Sequence, residues 1–178
     1  MKKTRFLLFF VLVPLFGFSQ HDTACNGIPR FVSPKDFSQY TDSLENAIID
    51  YSVSFLRTPY RYGGISKKGI DCSGFVSGVY HKFGVMLPHS SKSMIESGRP
   101  VELGDVHRGD LLFFRNTNQR RKGVGHVGIV TEVKDGNIIF IHSARIGGVR
   151  IDNLSSPYYM KHYFRAVRLS ILDSVSGK

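Results

Sequence analysis

The chain has 178 residues and a formal net charge of +10, with 24 lysine and arginine residues against 14 aspartate and glutamate residues. This length suits a single domain with its own core, and the positive charge favours contact with anionic polymers or surfaces. The basic residues do not form a block interleaved with aromatic side chains, which a groove for single-stranded nucleic acid would require. We therefore expect one domain and no nucleic-acid partner.

The N-terminus, MKKTRFLLFFVLVPLFGFSQ, has the pattern of a secretory signal peptide. Basic residues come first, and the apolar run from Phe6 to Phe18 is too short to span a bilayer as a helix. We predict a signal peptide over residues 1–19, cleaved near Ser19, with no transmembrane segment in the rest of the chain. The protein is thus expected in the periplasm or cell envelope. A lipoprotein acylated at Cys25 is the less favoured alternative, because polar residues separate this cysteine from the apolar run.

The rest of the chain divides into a polar leader (residues 20–40), a folded domain (41–170) and a short C-terminal tail (171–178). The domain opens with TDSLENAIIDYSVSFLRTPY, whose apolar residues recur at helical spacing. Thr41 or Asp42 is the predicted N-cap of this first helix.

A second helix and several strands follow in chain order. CSGFVSGVYHKFG has helical spacing and predicts a helix that starts at Asp71 or Cys72. Short β-branched or aromatic runs then predict strands, and KDGN between two of them is a hairpin turn. The predicted strands are DLLFF (110–114), HVGIVTEV (126–133), NIIFIHS (137–143) and YFRAVRL (163–169). Helices followed by antiparallel strands indicate an α+β domain, with the helices packed on a small, curved sheet.

The chain has two cysteines, Cys25 and Cys72, which would meet an oxidising compartment after export. A disulfide between them is the simplest alternative, but Cys25 lies in the leader and Cys72 opens a helix of the domain. At a helix start, the backbone N–H groups and the helix dipole favour a thiolate. The same N–H groups could stabilise an oxyanion beside an attacking sulfur. Cys72 is therefore a candidate nucleophile.

A thiol nucleophile needs a base, and two of the seven histidines are placed to supply one. His126 opens one predicted strand and His142 ends the next, so the KDG turn would bring them side by side. One could act as the base and the other could hold its ring. A zinc site formed by Cys72, His126, His142 and Asp71 is the competing hypothesis, although no C-x-x-C or H-x-x-x-H pair supports it.

Several motifs together resemble a known family. TPYRYGGISKKGIDCSGFVSGVYHKFG, LPHSS, GDLLFF, HVGIV and FIHSA occur in the order and spacing of the NlpC-type cysteine peptidases, which are papain-like enzymes that cut peptides in bacterial peptidoglycan. The resemblance extends from about Leu44 to Leu169, and the ending SSPYYMKHYFRAVRL is most similar to the Spr-type murein endopeptidases. It implies a papain-like α+β fold, a monomer, peptidoglycan stem peptides as the substrate, and neither a cofactor nor a metal.

The resemblance also implies roles for individual residues. Cys72 matches the nucleophile, His126 the base and His142 the polar residue that orients the imidazole. Three further residues match positions that line the substrate cleft, one of them close to the oxyanion. They are Asp71, Ser73 and Tyr60, of which Tyr60 is the one near the oxyanion.

Two positions depart from the family pattern, and they concern the substrate subsites. Tyr62 stands where many members have tryptophan, and His89 stands where many have arginine. The family offers two bonds for cleavage: D-glutamyl to diaminopimelate within one stem, or the diaminopimelate to D-alanine crosslink, which the Spr-like ending slightly favours. A peptidoglycan-binding module without activity and a zinc-dependent hydrolase remain as alternatives.

Overall fold

The computed structural model describes residues 34–117 and 122–173, with side chains described from Leu44 onward. The predicted signal peptide and its cleavage site near Ser19 lie outside the described residues. So do most of the predicted leader, including Cys25, and the end of the predicted tail.

Two of the five helices described are longer than two turns. The helices are α1 (Pro34–Val53), α2 (Cys72–His81), α3 (Ser91–Met94), α4 (Pro157–His162) and α5 (Ser170–Asp173). The first helix begins earlier than the predicted caps Thr41 and Asp42, because Pro34 suits the first helical position and Phe37 and Tyr40 continue the helical spacing. Helix α1 therefore starts within the predicted leader, and α5 lies mostly within the predicted tail. Among the helices that the structure describes, none combines the length and the apolar composition needed to cross a membrane.

The strands form a short hairpin and a six-stranded antiparallel sheet. The hairpin joins β1 (Ile65–Ser66) to β2 (Gly69–Ile70). The sheet has the order β3-β8-β4-β5-β6-β7. Its members are β3 (Arg99–Val101), β4 (Leu111–Arg115), β5 (Val124–Lys134), β6 (Asn137–Ala144), β7 (Gly148–Asn153) and β8 (Tyr163–Arg168).

Four of these strands, β4, β5, β6 and β8, match the predicted runs. The β5–β6 turn has φ values of 50° at Asp135 and 75° at Gly136, as a two-residue hairpin turn requires. Register shifts interrupt the β4–β5, β4–β8 and β5–β6 pairings. Such bulges bend the strands and increase their twist, which agrees with the curved sheet expected from the sequence.

Alternation along the strands gives the sheet two apolar faces. Phe113 and Ile129 on one face pack with Phe75 of α2, whereas Phe114 and Phe140 on the other belong to a second cluster. Helix α2 lies against β5 and β6, and α1 packs on α2. The start of α2 is thus held beside the two strands that carry the candidate histidines.

Candidate active site

Helix α2 begins at Cys72, one of the two predicted start positions, and the preceding Asp71 is its N-cap. Oδ1 of Asp71 accepts hydrogen bonds from the Gly74 N–H at 2.7 Å and from the Ser73 hydroxyl at 3.0 Å. Oδ2 accepts a bond from the Gly63 N–H at 2.8 Å. These bonds fix the first turn of α2 and join it to the loop before β1, so the backbone at Cys72 has little freedom.

Gly74, the glycine of the D-C-S-G sequence, allows the Gly64 backbone and the His89 ring to approach helix α2 closely. A Cβ atom at Gly74 would lie 2.3 Å from the Gly64 carbonyl oxygen and 2.8 Å from His89 Nε2. No larger residue could occupy this position without displacing the loop or the histidine. Gly74 therefore lets the loop that contains Tyr60 lie against the start of α2.

Cys72 is a free thiol and is only 8% exposed. Burial raises the pKa of this thiol to about 11, and the Asp71 carboxylate adds to the rise, whereas N–H groups that include that of Val127 act in the opposite direction. The N–H groups at the helix start favour the thiolate, as expected, but desolvation outweighs them, so the pKa of Cys72 taken alone is raised. Ionisation becomes easier if the proton moves to a nearby base, since the resulting pair is neutral overall.

His126 and His142 lie side by side, as the hairpin predicted. Nε2 of His126 and Nδ1 of His142 are 2.7 Å apart, a hydrogen-bond distance. Between the two strands, Gly128 provides the room: a Cβ atom there would lie 2.8 Å from the Phe140 ring and 3.1 Å from the Cβ of His142. The glycine of HVGIV is therefore explained by the close approach of Phe140 and His142 on β6.

Both histidines are neutral at neutral pH. Burial, and then the neighbouring His142, lower the pKa of His126 well below its ordinary value. Burial also lowers the pKa of His142, although a hydrogen bond to Asp152 acts against this change. A neutral imidazole can accept a proton, so His126 has the protonation state that a base requires.

The structure adds two residues that the sequence did not predict, Asp152 on β7 and Tyr159 on α4. Asp152 Oδ2 lies 2.8 Å from His142 Nε2 and accepts a hydrogen bond from the Tyr159 hydroxyl at 2.7 Å. In the sheet, His142 pairs with Arg150 of β7, which places Asp152 two residues further along on the same face. The sequence carries no strong local signal for Asp152, because GVRIDN alternates weakly and the residue is placed by the pairing of β6 with β7.

All six site residues predicted from the sequence line one cavity of about 710 Å³. They are Tyr60, Asp71, Cys72, Ser73, His126 and His142. The cavity wall also contains His89, Arg115, Arg145 and Tyr158. Within residues 34–117 and 122–173, no three or more His, Cys, Asp or Glu side chains are arranged to hold a metal ion.

The predicted cleft residues are held by other protein groups as well. Burial raises the pKa of Tyr60 despite a hydrogen bond with Arg145, and Ser73 is committed to Asp71. Burial alone would raise the pKa of Asp71, but the hydrogen bonds that it accepts lower it, so its carboxylate is ionised. Tyr60 therefore keeps its phenolic proton in the cavity wall, where it can donate a hydrogen bond.

Comparison with known proteins relates this site to a family. The model of the NlpC/P60 family matches residues 57–168. The murein DD-endopeptidase MepS/murein LD-carboxypeptidase of Escherichia coli K12 is 37% identical over 127 residues, which are 71% of this chain and 63% of the relative. The chain thus spans less than two thirds of that protein. The probable endopeptidase NlpC of the same organism is 31% identical over 80% of this chain and 91% of its own length.

Solved structures show the same relationship. A crystal structure of an NlpC/P60 family protein from Bacillus cereus is 34% identical, with a TM-score of 0.61 over 70% of this chain and 39% of the other. This likeness confirms the predicted fold class, α+β with a papain-like arrangement of helices on an antiparallel sheet. The chain belongs to the NlpC/P60 family.

Proposed function

We propose that this protein is an exported peptidoglycan endopeptidase that hydrolyses amide bonds in stem peptides or their crosslinks by a thiol mechanism. Cys72 is the nucleophile, His126 the base and His142 the residue that orients the base. The observation that carries the proposal is the 2.7 Å contact between the two histidines in the wall of the cavity that also contains Cys72. The substrate class is supported by the Escherichia coli relative that is named as a murein DD-endopeptidase, and the second relative is named as a probable endopeptidase.

The geometry supports a defined sequence of proton transfers. Because Nε2 of His126 faces His142, Nδ1 is the nitrogen left to take the proton of the Cys72 thiol. The thiolate attacks the carbonyl carbon of the amide, and N–H groups at the start of α2 stabilise the oxyanion. The imidazolium then returns its proton to the leaving amine. Water, activated by the same imidazole, releases the acyl group and restores the thiol.

The positively charged chain is suited to an anionic cell-wall polymer. We propose stem peptides of peptidoglycan as its partner, action as a monomer without a cofactor, and a location in the periplasm or cell envelope. N-terminal sequencing of protein recovered from the envelope tests the export step, and Gln20 is the expected first residue. Acylation at Cys25 would instead make that cysteine the first residue.

Activity and bond choice can be measured together. Peptidoglycan incubated with residues 20–178 is analysed by mass spectrometry, with the Cys72→Ser protein as the matched control. Loss of crosslinked fragments would indicate cleavage at diaminopimelate to D-alanine, whereas shortened single stems would indicate cleavage at D-glutamyl to diaminopimelate. Binding without any new fragment would favour a binding module, and activity that EDTA removes and zinc restores would favour a zinc-dependent hydrolase.

A further inference from the structure

The hydrogen bonds of the site continue beyond the two histidines. His142 is 1% exposed, and its two ring nitrogens face different partners, Nδ1 towards His126 and Nε2 towards Asp152. The Tyr159 hydroxyl donates to the same oxygen, Oδ2 of Asp152. The other oxygen, Oδ1, accepts a hydrogen bond from Arg150. Both oxygens of the Asp152 carboxylate are therefore held by hydrogen bonds. The carboxylate lies at the end of a hydrogen-bond chain that runs through His142 to His126.

The charge of Asp152 decides which ring nitrogens in this hydrogen-bond chain carry a hydrogen. Burial alone would raise the pKa of Asp152, but hydrogen bonds from Arg150, His142 and Tyr159 lower it, so the group is ionised. An ionised carboxylate only accepts hydrogen bonds, so Nε2 of His142 must carry a hydrogen. Neutral His142 then presents a lone pair at Nδ1, and Nε2 of His126 must donate to it. Nδ1 of His126 is left with a lone pair directed away from His142.

We propose that Asp152 is a positioning residue of the active site, which acts through His142 to fix the tautomer of His126. The proposal rests on the proposed thiol mechanism, because it is that mechanism which needs a lone pair at Nδ1 of His126. Without the carboxylate, His142 could carry its hydrogen on Nδ1. Nε2 of His126 would then accept that hydrogen bond, and the hydrogen of His126 would lie on Nδ1. Tyr159 supports this role by donating a hydrogen bond to Oδ2, with its hydroxyl 3.3 Å from His142 Nε2.

The contact between Asp152 and His142 is not needed to join β6 to β7. These strands pair from Ile139 with Asn153 through to Ala144 with Gly148, a continuous antiparallel register. The ring of His142 is held by its neighbours, with Phe140 at 4.9 Å and Tyr159 at 5.6 Å between ring centroids. Removal of the carboxylate should therefore change the protonation pattern more than the fold.

Nuclear magnetic resonance of ¹⁵N-histidine-labelled protein tests the proposal without any substrate. Long-range couplings within each imidazole show which nitrogen carries the hydrogen. In the wild-type protein we expect hydrogen on Nε2 of both His126 and His142. In Asp152→Ala we expect a mixture of tautomers at both rings, whereas Asp152→Asn retains an acceptor oxygen and should keep most of the original pattern. Ile151→Thr, at an exposed neighbour on β7, is the matched control and should leave the pattern unchanged.

Kinetics supply the second readout. For Asp152→Ala we expect kcat to fall roughly 10–100-fold, by analogy with the loss of a residue that orients a metal-bound histidine, with KM unchanged. Wild-type tautomers in Asp152→Ala, or an unchanged kcat, would overturn the proposal. Asp152→Leu fills the space of the carboxylate with an apolar side chain, so failure of both the Ala and Leu variants to fold, while the Asn variant folds, would show a structural role instead. If the wild-type protein cleaved no peptidoglycan, the proposed function would fail, but the tautomers would still decide the role of Asp152.

Discussion

Replacing Asp71 by alanine should destabilise the domain, because this one carboxylate joins the start of α2 to two other segments. It accepts hydrogen bonds from Gly63, Ser73 and Gly74 and lies 3.1 Å from His89 Nε2. Loss of an N-cap costs about 1 kcal/mol, and each hydrogen bond to a charged group contributes ~1.5–3 kcal/mol. Since these contributions overlap, we expect the free energy of unfolding to fall by roughly 3 kcal/mol.

The loss of stability caused by Asp71→Ala should be larger at neutral pH than in acid. The pKa of Asp71 is lower in the folded protein than its ordinary value. Its contribution is therefore fully present above the pKa of the unfolded chain, about 3.9, and is lost as the pH falls through the lower folded value. Denaturant unfolding of the wild-type and Asp71→Ala proteins should show a large difference in the free energy of unfolding at neutral pH. This difference should become smaller in acid.

Ser73→Ala is the matched control, because it removes one donor to Asp71 and leaves the N-cap in place. We expect a loss of about 1 kcal/mol for this variant. Equal unfolding midpoints for the wild-type and Asp71→Ala proteins, together with a raised KM, would refute the reasoning. Asp71 would then act mainly on the substrate, which is the role that the family resemblance implies for it.

Four further outcomes follow from the proposed mechanism and from the core. Cys72→Ser should fold normally and keep less than a tenth of the hydrolysis rate, because a hydroxyl is a poorer nucleophile than a thiolate. Iodoacetamide should abolish hydrolysis and EDTA should leave it intact; the reverse pattern would contradict thiol chemistry. His126→Ala should lower kcat by roughly 10²–10⁴-fold and His142→Gln by much less, whereas equal losses would show that their roles are not divided as proposed. Arg168→Met should lower the free energy of unfolding by about 3–5 kcal/mol, since it leaves the fully buried Asp110 without its ion-pair partner. In denaturant unfolding, the double variant Arg168→Met with Asp110→Leu should recover part of that loss.

The sequence predicted those parts of the fold whose patterns are long or strongly punctuated. Helix α2 has an N-cap and a continuous apolar face, and the β5–β6 hairpin has an Asp-Gly turn, so each could be read without tertiary information. The elements that were missed are short or lie at the edge of a sheet. Strands β1 and β2 have two residues each, and β3 contains Pro100, which weakens a strand pattern.

The missed strand β7 accounts for the missed part of the site. It is an edge strand whose buried residues, Gly148 and Val149, are followed by the exposed Arg150 and Ile151, so the alternation is weak. Because Asp152 reaches His142 only through the pairing of β6 with β7, its place in the site depends on a register that local patterns do not contain. The paired histidines were within reach of sequence reasoning because one recognisable turn joins their strands.

Cys72 is buried and His126 is half-buried in the wall of the same cavity. Each charged form alone is disfavoured, since the pKa of the thiol is raised and that of the imidazole is lowered. Transfer of the proton from sulfur to nitrogen leaves the net charge of the pair unchanged, so its cost is the separation of two opposite charges inside the cavity wall. The ionised Asp152 acts against part of that cost because its charge raises the pKa of His126. In the proposed mechanism, the thiol can thus stay protonated until an amide is bound, and the thiolate forms when the proton moves to His126.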